Sequence, residues 1–182
     1  MELTKRKARS SQRGMSLIEL MIASLVLMVG VLGCAALIPL SIGTNFKNKQ
    51  QSNSTVIAQM TMEKIASLPV GTASGTITDC ASTANTINTT GSTGGTGATL
   101  LSSGAIDFSQ TLGGAGAPAG YYMLYTTCGT AGRVSTYDVR WNIQTPSPYV
   151  KLVTVSARLK DSGTNQILFS LPVTIRSMAG GS

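Results

Sequence analysis

The sequence predicts an α+β fold in which one long N-terminal helix packs on a small antiparallel β-sheet. Three observations carry this. Residues 15–42 form an apolar run with a single charged residue, Glu19. Residues 43–70 continue with helix-forming residues and a stripe of side chains at helical spacing. Residues 133–182 alternate apolar and polar residues with a period of two, the pattern of strands covered on one face.

The N-terminal segment comes first. Residues 1–14 make a basic leader holding Lys5, Arg6, Lys7, Arg9 and Arg13. An ordinary secretory signal carries an apolar stretch of about 7–15 residues and then a small-residue cleavage site. Here the apolar run is 28 residues long, beyond the roughly 20 needed to span a bilayer. The natural place for a peptidase is therefore ahead of the run, between Gly14 and Met15, which leaves the membrane segment on the mature protein. Positive flanks stay in the cytoplasm, so everything after residue 42 is expected outside it. The net charge of +7 belongs largely to the leader. From Met15 onward nine basic and six acidic residues leave only +3, so direct nucleic-acid binding is not expected.

A single helix is expected from about residue 15 to 68, roughly 80 Å long at 1.5 Å per residue. Its membrane half, 15–42, is apolar all round, as lipid or a bundle core requires. Its amphipathic half, 43–70, places Ile57, Met60, Thr61, Ile65 and Leu68 on one face. Lys64 also projects there, its stem lying on apolar surface with the amine in water. Pro69 ends the helix by disfavouring a helical Leu68. Gly30, Gly33, Pro39 and Gly43 weaken the interior and permit close helix approach. They read either as a packing surface where the helix can stretch, or as glycine simply tolerated in lipid.

Residues 71–132 are rich in Gly, Ser, Thr, Ala and Asn, and residues 89–97 are close to low complexity. Such a segment has little to bury and reads as loop or weak strand, with Tyr121–Thr126 as one further strand. Asn53-Ser54-Thr55 and Asn88-Thr89-Thr90 match a glycan acceptor pattern, which chance explains in a chain of this composition. Cys34 lies in the apolar helix. Cys80 and Cys128 both lie in the exported part, where cysteines usually pair. A bridge between them would gain roughly 4 kcal/mol in the chain-entropy account; two free thiols are the alternative.

The last third reads as three strands. Tyr137, Val139, Trp141 and Ile143 alternate with Asp138, Arg140, Asn142 and Gln144. Val153, Val155, Ala157 and Leu159 alternate with Thr154, Ser156, Arg158 and Lys160. Ile167, Phe169, Leu171, Val173 and Ile175 form one face of the third. Residues 161–165 form a hairpin turn. Pro172 cannot donate to a ladder, so the third strand is an edge or carries a bulge.

Arg13-Gly14-Met15-Ser16-Leu17-Ile18-Glu19-Leu20 resembles the prepilin cleavage and methylation motif of type IV pilins and type II secretion pseudopilins. Met28-Val29-Gly30-Val31-Leu32-Gly33 and Gln59-Met60-Thr61-Met62-Glu63-Lys64-Ile65 are similar to PilV-like minor pilins. The resemblance covers about residues 10–68. It departs from the family at Met15, where most members have phenylalanine, and in lacking a proline midway along the apolar run. The resemblance implies a pilin-like fold, leader cleavage at Gly14–Met15 and N-methylation of Met15 by a prepilin peptidase/methyltransferase. It further implies other pilin or pseudopilin subunits and an inner-membrane assembly platform as partners. The protein would sit in the bacterial inner membrane as a single-pass chain, N-terminus cytoplasmic and C-terminal domain periplasmic, and then move to the pilus or cell surface. A variable region bounded by a disulfide, as in related pilins, would be the displayed part.

Glu19 is the residue expected to serve subunit assembly. A carboxylate in a membrane helix costs about 2.5–3.5 kcal/mol on insertion scales. Cleavage creates an α-amine at Met15, and a unit-charge pair at 4 Å is worth about 4 kcal/mol at an effective dielectric near 20, before desolvation. Pairing between subunits would offset the insertion cost and mark the register of stacked helices. The simpler reading leaves Glu19 near the headgroups at reduced cost.

No catalytic site is expected, and no cofactor or metal. The chain has no histidine, so the usual general base is missing. Asp79, Asp107, Asp138 and Asp161 read as separate turn or surface residues. Gly113-Gly114-Ala115-Gly116 does not lie between a strand and a helix, as a phosphate loop would. Two alternatives to a minor pilin stand beside it: an I-type pseudopilin of type II secretion, and, from another class, an uncleaved single-pass anchor presenting a small β binding module.

Overall fold

The computed structural model describes residues 16–69, 72–129, 134–160 and 172–180. The chain is α+β and divides into two units between Thr44 and Asn45. One helix, α1, spans Leu17–Ser67. The carbonyl of Ser16 accepts the N–H groups of Glu19 at 3.0 Å and Leu20 at 3.1 Å, which opens the helix. Ser16-Leu17-Ile18-Glu19 has the Ser-x-x-Glu form of a capping box. The helix stops two residues before Pro69, as the proline demands. Met15 lies outside the described residues.

In the first unit the apolar side chains of α1 stand exposed, from Leu17 at 77 % to Ile42 at 65 %. This stretch is long and apolar enough to cross a membrane.

The second unit begins with the polar half of α1. Its buried face is Gln50, Ser54, Ile57, Ala58, Thr61, Met62 and Ile65, a run at helical spacing. The expected stripe is thus corrected. Met60, Lys64 and Leu68 are only half-buried, while Met62 and the small or polar residues Gln50, Ser54 and Ala58 join the seam. The Thr61 hydroxyl is satisfied within the helix, donating to the Ile57 carbonyl at 2.8 Å.

Two antiparallel sheets follow. Strands β1 (Ser74–Thr78) and β2 (Ala84–Asn88) form a ribbon. The larger sheet contains β3 (Thr96–Gly97), β4 (Tyr122–Thr126), β5 (Thr136–Ser147), β6 (Val150–Leu159) and β7 (Val173–Gly180). β3 and β4 share one edge of β5, with Thr96 opposite Ile143 and Tyr122 opposite Arg140. β6 lines the other edge, with Trp141 opposite Val155, and β7 follows with Ile175 opposite Val155. The register shifts between Gln144 and Ser147, at Pro146, which has no N–H to give. β7 lies at the end of the strand order, with Pro172 just ahead of it. The expected hairpin turn at 161–165 and residues 167–171 of the third strand lie outside the described residues.

Tyr137, Val139, Trp141 and Ile143 of β5 meet Val153, Val155 and Ala157 of β6 beneath Ile57, Ala58, Met62 and Ile65 of α1. Ile77 and Ile87, the one buried apolar residue of each ribbon strand, complete this core.

The other face of the sheet overturns an expectation. Alternation predicted strands covered on one side, yet β5 is buried on both. Asp138, Arg140 and Asn142 are exposed by only 3, 2 and 7 %, and Thr154 and Ser156 of β6 by 2 and 0 %. The cover is residues 98–121, a strap from the Gly- and Ser-rich region. It closes on itself through Thr99 N–H to the Gly116 carbonyl and Asp107 N–H to the Thr99 carbonyl. Gly97 sits where the strap leaves β3. It has φ near +111°, and a Cβ there would collide with the Trp141 carbonyl and the Tyr121 ring, so only glycine is accommodated.

Candidate functional site

Three places concentrate chemistry. The first is the start of α1. Glu19 stands exposed in the first helical turn, where the aligned peptide dipoles favour negative charge. Gly14 and Met15, the expected cleavage and methylation residues, lie outside the described residues.

The second is the contact between strap and sheet. Arg140 donates from Nε and Nη2 to both oxygens of Asp138, at 2.9 and 2.8 Å. Its Nη1 donates to the carbonyls of Asp107 at 3.2 Å and Gln110 at 2.8 Å. Arg158 faces Asp138 across the strands, at 3.6 Å, and donates to the Phe108 carbonyl at 3.2 Å. Both guanidinium groups lie over the Phe108 ring, 4.9 and 4.5 Å from its centre, a favourable placement of cations on a π-face. Asn142 donates to the Ala98 carbonyl at 2.9 Å. Asp138 is therefore a buried ion-pair partner and not the surface residue expected. Its signal was present in the sequence: Asp138 and Arg140 lie two apart on one strand face, with Arg158 on the next strand. Asp107 holds the strap's own turn. Hydrogen bonds from the Gln110 and Ser109 side chains and the Ser109 N–H, aided by Arg140, keep its carboxyl below the usual range.

The third is the junction of the ribbon with β4. Cys80 and Cys128 are joined, with Cα atoms 5.2 Å apart and a sequence separation of 48. Asp79 accepts the Thr83 N–H at 2.8 Å and the Thr126 N–H at 3.2 Å. Burial raises its pKa, but the N–H groups of Thr83, Thr126 and Ala81 outweigh that and hold it below the usual value. The Cys80 N–H also reaches the Thr126 carbonyl at 3.2 Å. At the other end of the ribbon Asn88 N–H bonds the Gly120 carbonyl at 2.8 Å, and the Trp141 indole donates to the Asn88 carbonyl at 3.0 Å.

Both glycan-like triplets are engaged in the fold. Asn53 bonds Tyr137, whose pKa is raised by burial against that hydrogen bond. The Tyr137 hydroxyl donates to Gln50 Oε1. Asn88 packs its amide against Gly120. Cys34 is a free thiol on the apolar helix.

A family model for the prokaryotic N-terminal methylation motif matches residues 9–35. No curated protein and no solved structure matches the chain. The motif, leading into an apolar membrane-length helix, supports a type IV pilin-like protein: a structural subunit rather than an enzyme. It implies processing by a prepilin peptidase and assembly with other pilins, and it fits a membrane-anchored pilin.

Proposed function

We propose that the chain is a minor type IV pilin. It is cut between Gly14 and Met15, methylated on the Met15 amine, and drawn from the inner membrane into a filament through the apolar half of α1. The methylation motif at residues 9–35 is the observation that carries this reading. The exposed apolar surface of residues 17–42 supports it, since such a surface needs lipid or sister helices around it. The second unit is the displayed part, supporting assembly, adhesion, motility or DNA uptake. Its disulfide-closed Gly- and Ser-rich region supports the reading of a displayed part, and an I-type pseudopilin is the alternative that genomic neighbours would separate. Glu19 serves as the register mark, its carboxylate meeting the new amine of a neighbouring subunit.

Mass analysis of the mature N-terminus tests the reading. The expected result is a chain beginning at N-methylated Met15. In the same cells Glu19→Ala is expected to be inserted and cleaved normally but to be depleted at least about tenfold from sheared filaments, as the loss of a pair worth several kcal/mol requires. An intact leader points instead to the single-pass anchor. Normal recovery of Glu19→Ala in filaments removes the register role.

A further inference from the structure

The Cys80–Cys128 bond differs from a core disulfide in being open to solvent: both residues are exposed. It also forms part of the wall of a groove of about 540 Å³. Lys49, Val56 and Met60 of α1 make one side of that groove, and Tyr125 of β4 contributes to the other. Val56 is 59 % exposed although apolar. Among the described residues no carboxylate forms an ion pair with Lys49. The groove therefore offers an accessible S–S bond, an apolar wall and an ammonium group together. Exposed disulfides are the ones that exchange readily, and exchange proceeds by thiolate attack. Lys49 supplies the charge that attracts an anionic nucleophile. Val56, Met60 and Tyr125 offer purchase to a polypeptide more than to a small hydrophilic thiol.

We propose that this groove is a thiol–disulfide exchange site whose ligand is the thiolate-bearing loop of a protein dithiol. The incoming thiolate forms a new S–S bond to one of the two sulfurs. The Cys80–Cys128 bond breaks, and its electron pair leaves on the other sulfur as a thiolate. The second thiol of the partner then loses its proton and attacks the partner's own sulfur in the mixed disulfide, whose bond breaks with its electron pair leaving on this chain's cysteine; the two thiolates of this chain take up that proton and one from solvent. Two electrons pass to this chain, which ends with two protonated cysteines, while the partner ends with a disulfide. The reverse sequence installs the bond. The ribbon has other ties beside the bond. They are the Asp79 carboxylate on the Thr126 N–H, the Cys80 N–H on the Thr126 carbonyl and the burial of Ile77 and Ile87. The site rests on the C-terminal unit alone and is independent of the filament reading.

The test uses the full chain in detergent micelles on a Cys34→Ala background, counting alkylated cysteines by mass over time. With mercaptoethanesulfonate the reduction rate is expected to rise linearly with thiolate concentration. A plateau independent of thiol would show that the bond opens only when the domain unfolds, and would overturn the proposal. Reduced thioredoxin is the protein-dithiol probe and cysteamine the small cationic control. Lys49→Glu and Val56→Asp, both on the exposed side of α1, are each expected to slow thioredoxin by roughly threefold or more, as lost complementarity at an encounter surface does. Cysteamine should react with all three chains at rates within about twofold. Equal thioredoxin rates across the three chains would overturn the docking role of the groove.

Discussion

The two faces of β5 are equally buried and made of opposite materials. Toward α1 it presents Tyr137, Val139, Trp141 and Ile143, all at 0 % exposure. Toward the strap it presents Asp138, Arg140 and Asn142. The first face gains by removing apolar area from water. The second gains only if each buried polar group finds a partner, because an unpaired one costs its full desolvation. The strap meets most of that need with backbone carbonyls, those of Ala98, Asp107, Phe108 and Gln110, and leaves Asn142 Oδ1 without a partner among the described residues. One face should therefore tolerate shape-preserving apolar change, and the other should respond to the loss of single atoms.

The apolar face gives the largest expected effect. Trp141 is the only tryptophan, is fully buried, packs against Tyr121 with ring centres 6.4 Å apart, and ties the ribbon through Asn88. Trp141→Ala should cost about 3–5 kcal/mol in urea unfolding followed by far-ultraviolet circular dichroism. A loss below about 1 kcal/mol would mean the site collapses around the gap and the face is less close-packed than its burial implies.

The polar face should answer differently to one change and to two. Arg140→Met leaves the buried Asp138 carboxylate only the longer contact to Arg158, at 3.6 Å, and removes the donor to two strap carbonyls. The expected loss is about 3 kcal/mol, accompanied by faster protease cleavage within residues 98–121. Replacing both members, Asp138→Leu with Arg140→Met, should recover much of that stability, since an apolar pair of similar volume carries no stranded charge. Protease protection of the strap should stay low, because the carbonyls of Asp107 and Gln110 still lack the guanidinium. If the double variant protects the strap fully, apolar contact holds it and the contrast between the faces fails.

That contrast also explains what could be read from the sequence. β4, β5 and β6 and the pairing of α1 with the sheet were legible because apolar side chains report their own burial by period. The strap was not, because a carbonyl belongs to every residue and leaves no mark in composition. Its Gly, Ser and Ala residues read as a segment with little to bury, and in side-chain terms that is correct. The ribbon was hidden for a related reason, with a single buried isoleucine in each strand. On α1, Gln50 and Thr61 sit in the seam because their polar atoms are answered locally, Gln50 by the Tyr137 hydroxyl and Thr61 by the Ile57 carbonyl, which composition does not announce. At the N-terminus the reverse holds. Gly14, Met15 and Glu19 are expected from a motif alone, and Glu19, the one of the three among the described residues, stands exposed.

The smallest expected effect sharpens the comparison at the ribbon, where a polar contact stands beside a covalent one. Asp79 has its folded pKa depressed below the ordinary carboxylate value of 3.8 by the N–H groups of Thr83, Thr126 and Ala81, against the opposing effect of burial. A depressed folded pKa means the carboxylate favours the folded state while it is ionised. Its contribution is complete above the unfolded pKa and disappears as pH falls through the folded one. Asp79→Asn should thus lower the urea midpoint at pH 6, and the gap to the parent chain should narrow below about pH 4. With Cys80–Cys128 intact the covalent tie limits how far the ribbon can move, so the gap should be larger in a Cys80→Ser, Cys128→Ser background. A gap unchanged from pH 6 to below pH 3 would show that Asp79 acts through the shape of the turn at Thr83. The ribbon would then be fastened by the disulfide and its two isoleucines, with no electrostatic share.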